Sequence, residues 1–178
     1  MKSLCAAALL ACVIAPTIRV THAADQATGQ PVEHVHGDWT LRCEQADADA
    51  APECIMDQNL VLKAGGQPVL QFAIGLAPDD AIPTVLLKLP LGIYLPPGIS
   101  FRIDDGEPAT FPVERCDPDG CQAVMKLRDA TIARLRAGSR LEIGFHDGAR
   151  APLSMPLSLD GFGAAIDALR ASAPGSDE

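Results

Sequence analysis

Aromatic residues are scarce in this chain of 178 residues, which has one Trp, one Tyr and five Phe. A core built from it must be mainly Leu, Ile, Val and Ala. Positive charge is scarce as well, with 14 Lys and Arg against 23 Asp and Glu and a formal net charge of −9. Acidity of that size argues against nucleic acid and against anionic membrane surfaces as partners. No apolar run reaches the roughly 20 residues that a membrane-spanning helix needs. The most apolar internal stretch, 81–99, carries Lys88 and is broken by Pro83, Pro90, Pro96 and Pro97. There is no C-x-x-C, which argues against thioredoxin-like redox chemistry. No serine lies in G-x-S-x-G, which argues against a Ser–His–Asp hydrolase. No internal repeat is visible.

The amino terminus has a short positive stretch, Met1-Lys2-Ser3, and then an uncharged run from Leu4 to Ile14. Thr21-His22-Ala23 places small residues before a cut between Ala23 and Ala24. Residues 1–23 therefore read as a secretory signal peptide. Leu9-Leu10-Ala11-Cys12 loosely fits a lipobox, and lipidation at Cys12 is the alternative; it would leave an unusually short signal. Cleavage after Ala23 removes Lys2 and Arg19 and takes the net charge from −9 to −11. The remainder, about 155 residues, is one domain's worth of chain.

Cleavage also removes Cys5 and Cys12, leaving Cys43, Cys54, Cys116 and Cys121. An even number in an oxidising compartment implies two disulfides, with three possible connectivities. Cys116 and Cys121 flank Asp117-Pro118-Asp119-Gly120, whose residues suit a type I turn. The Asp117 side chain can accept from a backbone N–H two residues on. Such a turn brings the cysteines toward the roughly 5.5–6 Å Cα separation of a disulfide. Half of a zinc site is the competing reading of this pair, and an exported chain weighs against it. Cys43–Cys54 then follows by elimination.

Down the chain, 24–36 reads as a flexible polar leader. Asp38 to Cys43 alternates as a strand, with Trp39, Leu41 and Cys43 on one face. Glu44 to Glu53 is an acidic loop. Cys54–Leu62 and Pro68–Leu76 read as strands joined by a turn at 64–67. Further strands are expected at 85–89, 99–103, 111–115, 121–127, 141–145 and 153–159. One short helix is expected after Asp129 as its cap, with Ile132 and Leu135 on one face and Gly138 as its stop. A second is expected after Ser158 or Asp160, with Phe162, Ile166 and Leu169 on one face. Residues 172–178 read as a frayed tail. About nine short strands with Gly and Pro at the joints predict a mainly all-β antiparallel sandwich, two short helices covering its ends or edges.

Gly37-Asp38-Trp39-Thr40-Leu41-Arg42-Cys43, Leu91-Gly92-Ile93-Tyr94-Leu95-Pro96-Pro97-Gly98, Cys116-Asp117-Pro118-Asp119-Gly120-Cys121 and Leu157-Ser158-Leu159-Asp160-Gly161-Phe162 occur in that order. Together they resemble the invasion-associated locus B (IalB) family of exported Gram-negative proteins, from about Gly37 to Leu169. The resemblance implies an immunoglobulin-like β-sandwich over 37–171, in the periplasm or at the outer membrane. In some pathogens it also implies a role in host-cell invasion. It brings no catalytic residues, and the cysteines match its pattern.

Several smaller features compete for attention. His34, His36 and Asp38 could form a metal trio, set against a solvated arm. His146-Asp147 reads as a turn rather than a catalytic pair. Asp117-x-Asp119-Gly120 is a fragment of a calcium loop without its remaining ligands. Asp47-Asp49-Glu53 and Asp104-Asp105-Glu107 are acidic patches that suit solvated loops. The apolar stretch 89–99 is the principal candidate. Ile93, Tyr94 and Leu95, flanked by prolines, can form a protruding loop that docks on a partner, or else fill the end of the sandwich. The expectation is an exported, non-enzymatic β-sandwich without catalytic residue, metal or cofactor. It would bind an envelope or host protein. The alternative is a periplasmic small-ligand carrier with a pocket between the sheets.

Overall fold

The structure is a computed structural model that describes residues 32–45, 52–61, 68–77 and 80–173. The expected signal segment, the expected 64–67 turn, most of the expected acidic loop and most of the expected tail lie outside the described residues. The chain runs through β1 (Val32–His36), β2 (Trp39–Glu44), β3 (Glu53–Val61), β4 (Pro68–Ala77) and β5 (Asp80–Leu89). It continues through β6 (Ile99–Ile103), β7 (Ala109–Phe111), β8 (Arg115–Asp117), β9 (Gly120–Lys126), α1 (Asp129–Ala137), β10 (Arg140–His146), β11 (Pro152–Ser158) and α2 (Phe162–Ala171).

Two antiparallel sheets result. The larger has seven strands in the order β1-β2-β3-β4-β5-β9-β8, and the smaller has four in the order β11-β10-β6-β7. The predicted antiparallel sandwich with two short helices is what forms. Alternation places the core: Trp39, Leu41, Met56, Phe72, Ile74, Val85 and Leu87 from the large sheet are buried. They face Ile99, Phe101, Leu141, Ile143 and Phe145 of the small one, all in one cluster. Phe72 and Phe101 meet across the sheets with ring centroids 6.4 Å apart.

The small sheet is too narrow to cover the whole inner face of the large one, and α2 covers the rest. It packs on β1 to β4, with α1 against it. Phe162, Ala165, Ile166 and Leu169 are its buried residues, and Ile132 and Leu135 are those of α1. The helices are therefore part of the second layer rather than end covers. Trp39 joins all three parts. Its ring stands edge-on to Phe72 at 5.8 Å and to Phe162 at 5.3 Å. Its indole N–H donates to the Ser158 carbonyl at 3.1 Å, so the one polar atom of this buried ring is satisfied. Gln58, on the inner side of β3, completes the clasp: it donates to the carbonyls of Asp38 and Ser158 and accepts from the Ser158 N–H.

Both disulfides join neighbouring strands of the large sheet. Cys43 opposes Cys54 across β2 and β3, and Cys116 opposes Cys121 across β8 and β9. Their Cα separations, 4.1 and 4.0 Å, are shorter than the usual range. Direct opposition in an antiparallel ladder imposes this. The Asp117 carboxylate accepts from the Asp119 N–H at 3.0 Å, so the turn between β8 and β9 closes as its residues predict.

Four details differ from the sequence reading. The last five residues of the expected leader, Val32–His36, form β1, an edge strand in register with β2. The ladder holds them although four of the five are exposed. The expected strand 111–115 is split, because Pro112 offers no N–H; β7 stays in the small sheet and β8 joins the large one. The strand expected at 85–89 begins earlier, at Asp80, and Pro83 is accommodated beside a register shift between Gly75 and Ala77. The helix caps also differ. Arg128 precedes α1 without a side-chain cap, and Asp129 lies inside its first turn. Gly161, in the left-handed region, occupies the N-cap of α2.

Candidate docking site on the loop between the sheets

The chain leaves the large sheet after Leu89, enters the small one at Ile99, and makes the crossing with residues 90–98. Five prolyl and glycyl positions, Pro90, Gly92, Pro96, Pro97 and Gly98, shape this crossing. Gly98 has φ +73°, and a Cβ there would lie 2.5 Å from the Phe111 carbonyl oxygen, so only glycine fits without strain. Its N–H donates to the Leu95 carbonyl at 2.9 Å and closes the turn over Pro96-Pro97.

The loop is seated on the turn that follows β10. Ile93 forms an isolated antiparallel bridge with Asp147, and the Tyr94 N–H donates to the His146 carbonyl at 2.9 Å. The Arg150 guanidinium lies 4.9 Å from the Tyr94 ring centroid, a cation–π contact worth about 0.5–1 kcal/mol at an exposed site. Asp147 holds the turn itself, its carboxylate accepting from the Ala151 N–H at 2.8 Å. His146-Asp147 is thus the turn that its neighbours suggest.

The three candidate residues do not share one environment. Ile93 is half-buried against the core, and Tyr94 is half-buried beneath Arg150. Leu95 is exposed at 45%, and Leu91, four residues before it, at 55%. Leu91 was within the apolar stretch but not singled out. Arg150 gave no local signal, because its contact with Tyr94 spans more than fifty residues. Pro96 and Pro97 stand between two depressions. One, of about 410 Å³, opens on the outer face of the small sheet. The other, of about 300 Å³, runs between Leu95 and Val113. Both lie outside the core, whereas between the sheets Phe72 and Phe101 are in contact.

The remaining candidates separate. His34 is exposed, while His36 is half-buried with its Nε2 buried and without a hydrogen-bond partner among the described residues. No group of three or more metal-binding side chains comes together among the described residues. Asp117 is committed to its hairpin, accepting from the Asp119 N–H and from Gln122 Nε2. Asp104 is a structural acceptor: its carboxylate takes the N–H groups of Ser139 and Arg140 at 2.9–3.2 Å and ties the turn after β6 to the start of β10. Asp47 and Asp49 lie outside the described residues. One ionic site escaped the sequence reading. Asp57 is the one polar residue buried among the described residues. It sits on the outer face of β3, ion-paired to Arg42 and accepting from Asn59. The Arg42 guanidinium also reaches Glu33, and these two carboxylates, Asp57 first, raise its pKa.

The chain is similar to known proteins in sequence and fold. Residues 39–170 match the model of the invasion associated locus B (IalB) protein family. Two invasion protein B homologs of Brucella abortus, from strain 2308 and from biovar 1 strain 9-941, are each 30% identical over 142 residues. That covers 79% of this chain and 80% of theirs. The crystal structure of invasion associated protein B from Bartonella henselae superposes with a TM-score of 0.68 at 23% identity. It covers 79% of this chain and 95% of that one. No described helix is long and apolar enough to cross a membrane. With its family model spanning both sheets and both helices, this chain belongs to the IalB family of invasion-associated proteins.

Proposed function

We propose that this protein is exported through its amino-terminal signal and acts without catalysis, docking on another protein of the cell envelope or of a host cell. The contact is made by the loop 90–98, with Leu91 and Leu95 as apolar anchors. One observation carries this reading: two large apolar side chains are held in solvent on a loop that is itself fixed. The Tyr94–His146 hydrogen bond, the Ile93–Asp147 bridge and Arg150 over Tyr94 all restrain it. A pre-ordered apolar loop loses little conformational entropy on binding, which favours affinity. Ile93 and Tyr94 serve as the seat of the loop rather than as its contact surface. The two disulfides and the family's association with invasion support export and an extracytoplasmic partner.

The test is crosslinking capture from envelope fractions with the full chain, disulfides intact, beside a variant carrying Leu91→Ser and Leu95→Ser. The reading expects one reproducible protein partner that the variant loses, while the variant's thermal unfolding is unchanged. Capture that is indifferent to these substitutions overturns the assignment of the loop. Turnover of a substrate that is abolished by changing one polar residue overturns the non-enzymatic reading.

A further inference from the structure

The outer face of the small sheet carries a charged groove that borders the end of the loop 90–98 at Pro97 and Gly98 but is not lined by its apolar anchors, Leu91 and Leu95. Its wall on one side is Arg102, ion-paired to Glu142 on the neighbouring strand. Glu142 is shared, since Arg140 also reaches it at 3.3 Å. Two guanidiniums on one carboxylate leave one positive charge in excess, on a protein whose net charge is −9. The opposite wall holds His146, with Pro97 and Pro152 beside it. The His146 Nδ1 is buried and has no hydrogen-bond partner among the described residues.

The floor is a single cross-strand row. Thr110 opposes Ser100, Ser100 opposes Gly144, and Gly144 opposes Ser154, one residue from each of the four strands. Four strands at about 4.8 Å spacing make this row roughly 14 Å long. Gly144 keeps it open, since a Cβ there would fall 2.2 Å from the Ser100 Oγ. The groove's volume, about 410 Å³, lies within the roughly 300–1,000 Å³ of small-ligand sites.

We infer that this groove binds an anionic, polyhydroxylated ligand, an acidic oligosaccharide. Arg102 places one N–H on Glu142, and its side chain remains 41% exposed, so further guanidinium donors face the groove. A guanidinium fork suits a carboxylate. The hydroxyls of Ser100, Thr110 and Ser154 both donate and accept, as sugar hydroxyls do. An extended peptide fits less well. Peptides add to a sheet through backbone hydrogen bonds at an edge. This groove runs across the face, where the N–H and C=O groups of the two central strands, β10 and β6, are already paired to their neighbours.

The experiment is an amide NMR titration of the full chain, disulfides intact, with a galacturonic acid trisaccharide as the probe. A neutral galactose trisaccharide and a glutamate-rich peptide are titrated in parallel. The inference expects saturating shifts at Ser100, Arg102, Gly144 and His146 with the acidic sugar. Arg102→Gln weakens that binding by about tenfold, and added salt weakens it too. Ser154→Trp, which fills the groove from an exposed edge position, abolishes it. Absence of shifts at millimolar probe overturns the inference. So does equal binding of the neutral sugar, or tighter binding of the peptide at the same residues. Arg102→Gln or Ser154→Trp leaving the affinity unchanged would also overturn it.

Discussion

The two sheets of this protein are stabilised in different ways. The seven-stranded sheet is a run of five consecutive neighbours extended by β9 and β8, and both disulfides lie within it. Its outer face is braced by Arg42, Glu33, Asp57 and Asn59. The four-stranded sheet has no disulfide among the described residues and depends on packing against its neighbour. Its outer face carries the groove, and its first strand follows the loop 90–98. Covalent reinforcement lies in one layer and the candidate recognition surfaces lie on the other. A braced layer can tolerate a partner layer whose surface residues are chosen for contact rather than for stability.

The most severe way to break this contrast is Trp39→Ala. The ring contacts Phe72 of the large sheet and Phe162 of α2, and its N–H holds the end of β11. A loss of about 3–5 kcal/mol is expected, read by urea denaturation, with both sheets destabilised together. Next comes Cys43→Ala with Cys54→Ala, expected to cost about 3 kcal/mol in the chain-entropy model, and Cys116→Ala with Cys121→Ala, about 2 kcal/mol. Amide exchange sharpens the comparison here. Opening confined to the large sheet would mean separate units; uniform acceleration would make the sandwich one cooperative unit.

A smaller effect, at least about 1 kcal/mol, is expected for Gly98→Ala, because alanine resists a positive φ and the Phe111 carbonyl occupies its space. Its amide-exchange signature should be confined to β6, β7 and the docking loop, the side of the molecule without disulfides. The smallest effect concerns the helices. Arg136 on α1 donates to Asp167 on α2 and lowers that carboxylate's pKa. A lowered pKa gives stability that is present above the unfolded value, about 3.9. That stability is lost as pH falls through the folded one. Asp167 is 64% exposed, so Asp167→Asn is expected to cost only a few tenths of a kcal/mol. The difference from the unsubstituted chain should shrink on acidification, read by thermal unfolding between pH 3 and 6.

Much of the fold was legible wherever a strand shows one apolar face. β6 reads buried, half-buried, buried along Ile99 to Ile103, and β10 repeats the pattern through Phe145. β1 was illegible because an exposed edge strand has no such face. The division between β7 and β8 was illegible because Phe111-Val113-Arg115 alternates whichever sheet each part joins. The loop 90–98 was visible as a proline-flanked apolar stretch, but which of its side chains remain in solvent was not. The groove gave no local signal at all: Thr110, Ser100, Gly144 and Ser154 come from four separate segments.

Composition and pattern by themselves determined an acidic chain with alternating strands and a self-closing cysteine hairpin. These are short-range properties, set by side-chain periodicity and turn chemistry within a few residues. Only the tertiary structure decided which strands share a sheet, that α2 covers what the small sheet leaves bare, and that Leu91 and Leu95 face solvent while Ile93 and Tyr94 form their seat. It also decided that one excess guanidinium borders a row of hydroxyls. Those outcomes depend on cross-strand register and on contacts between residues far apart in the chain, which local pattern does not encode.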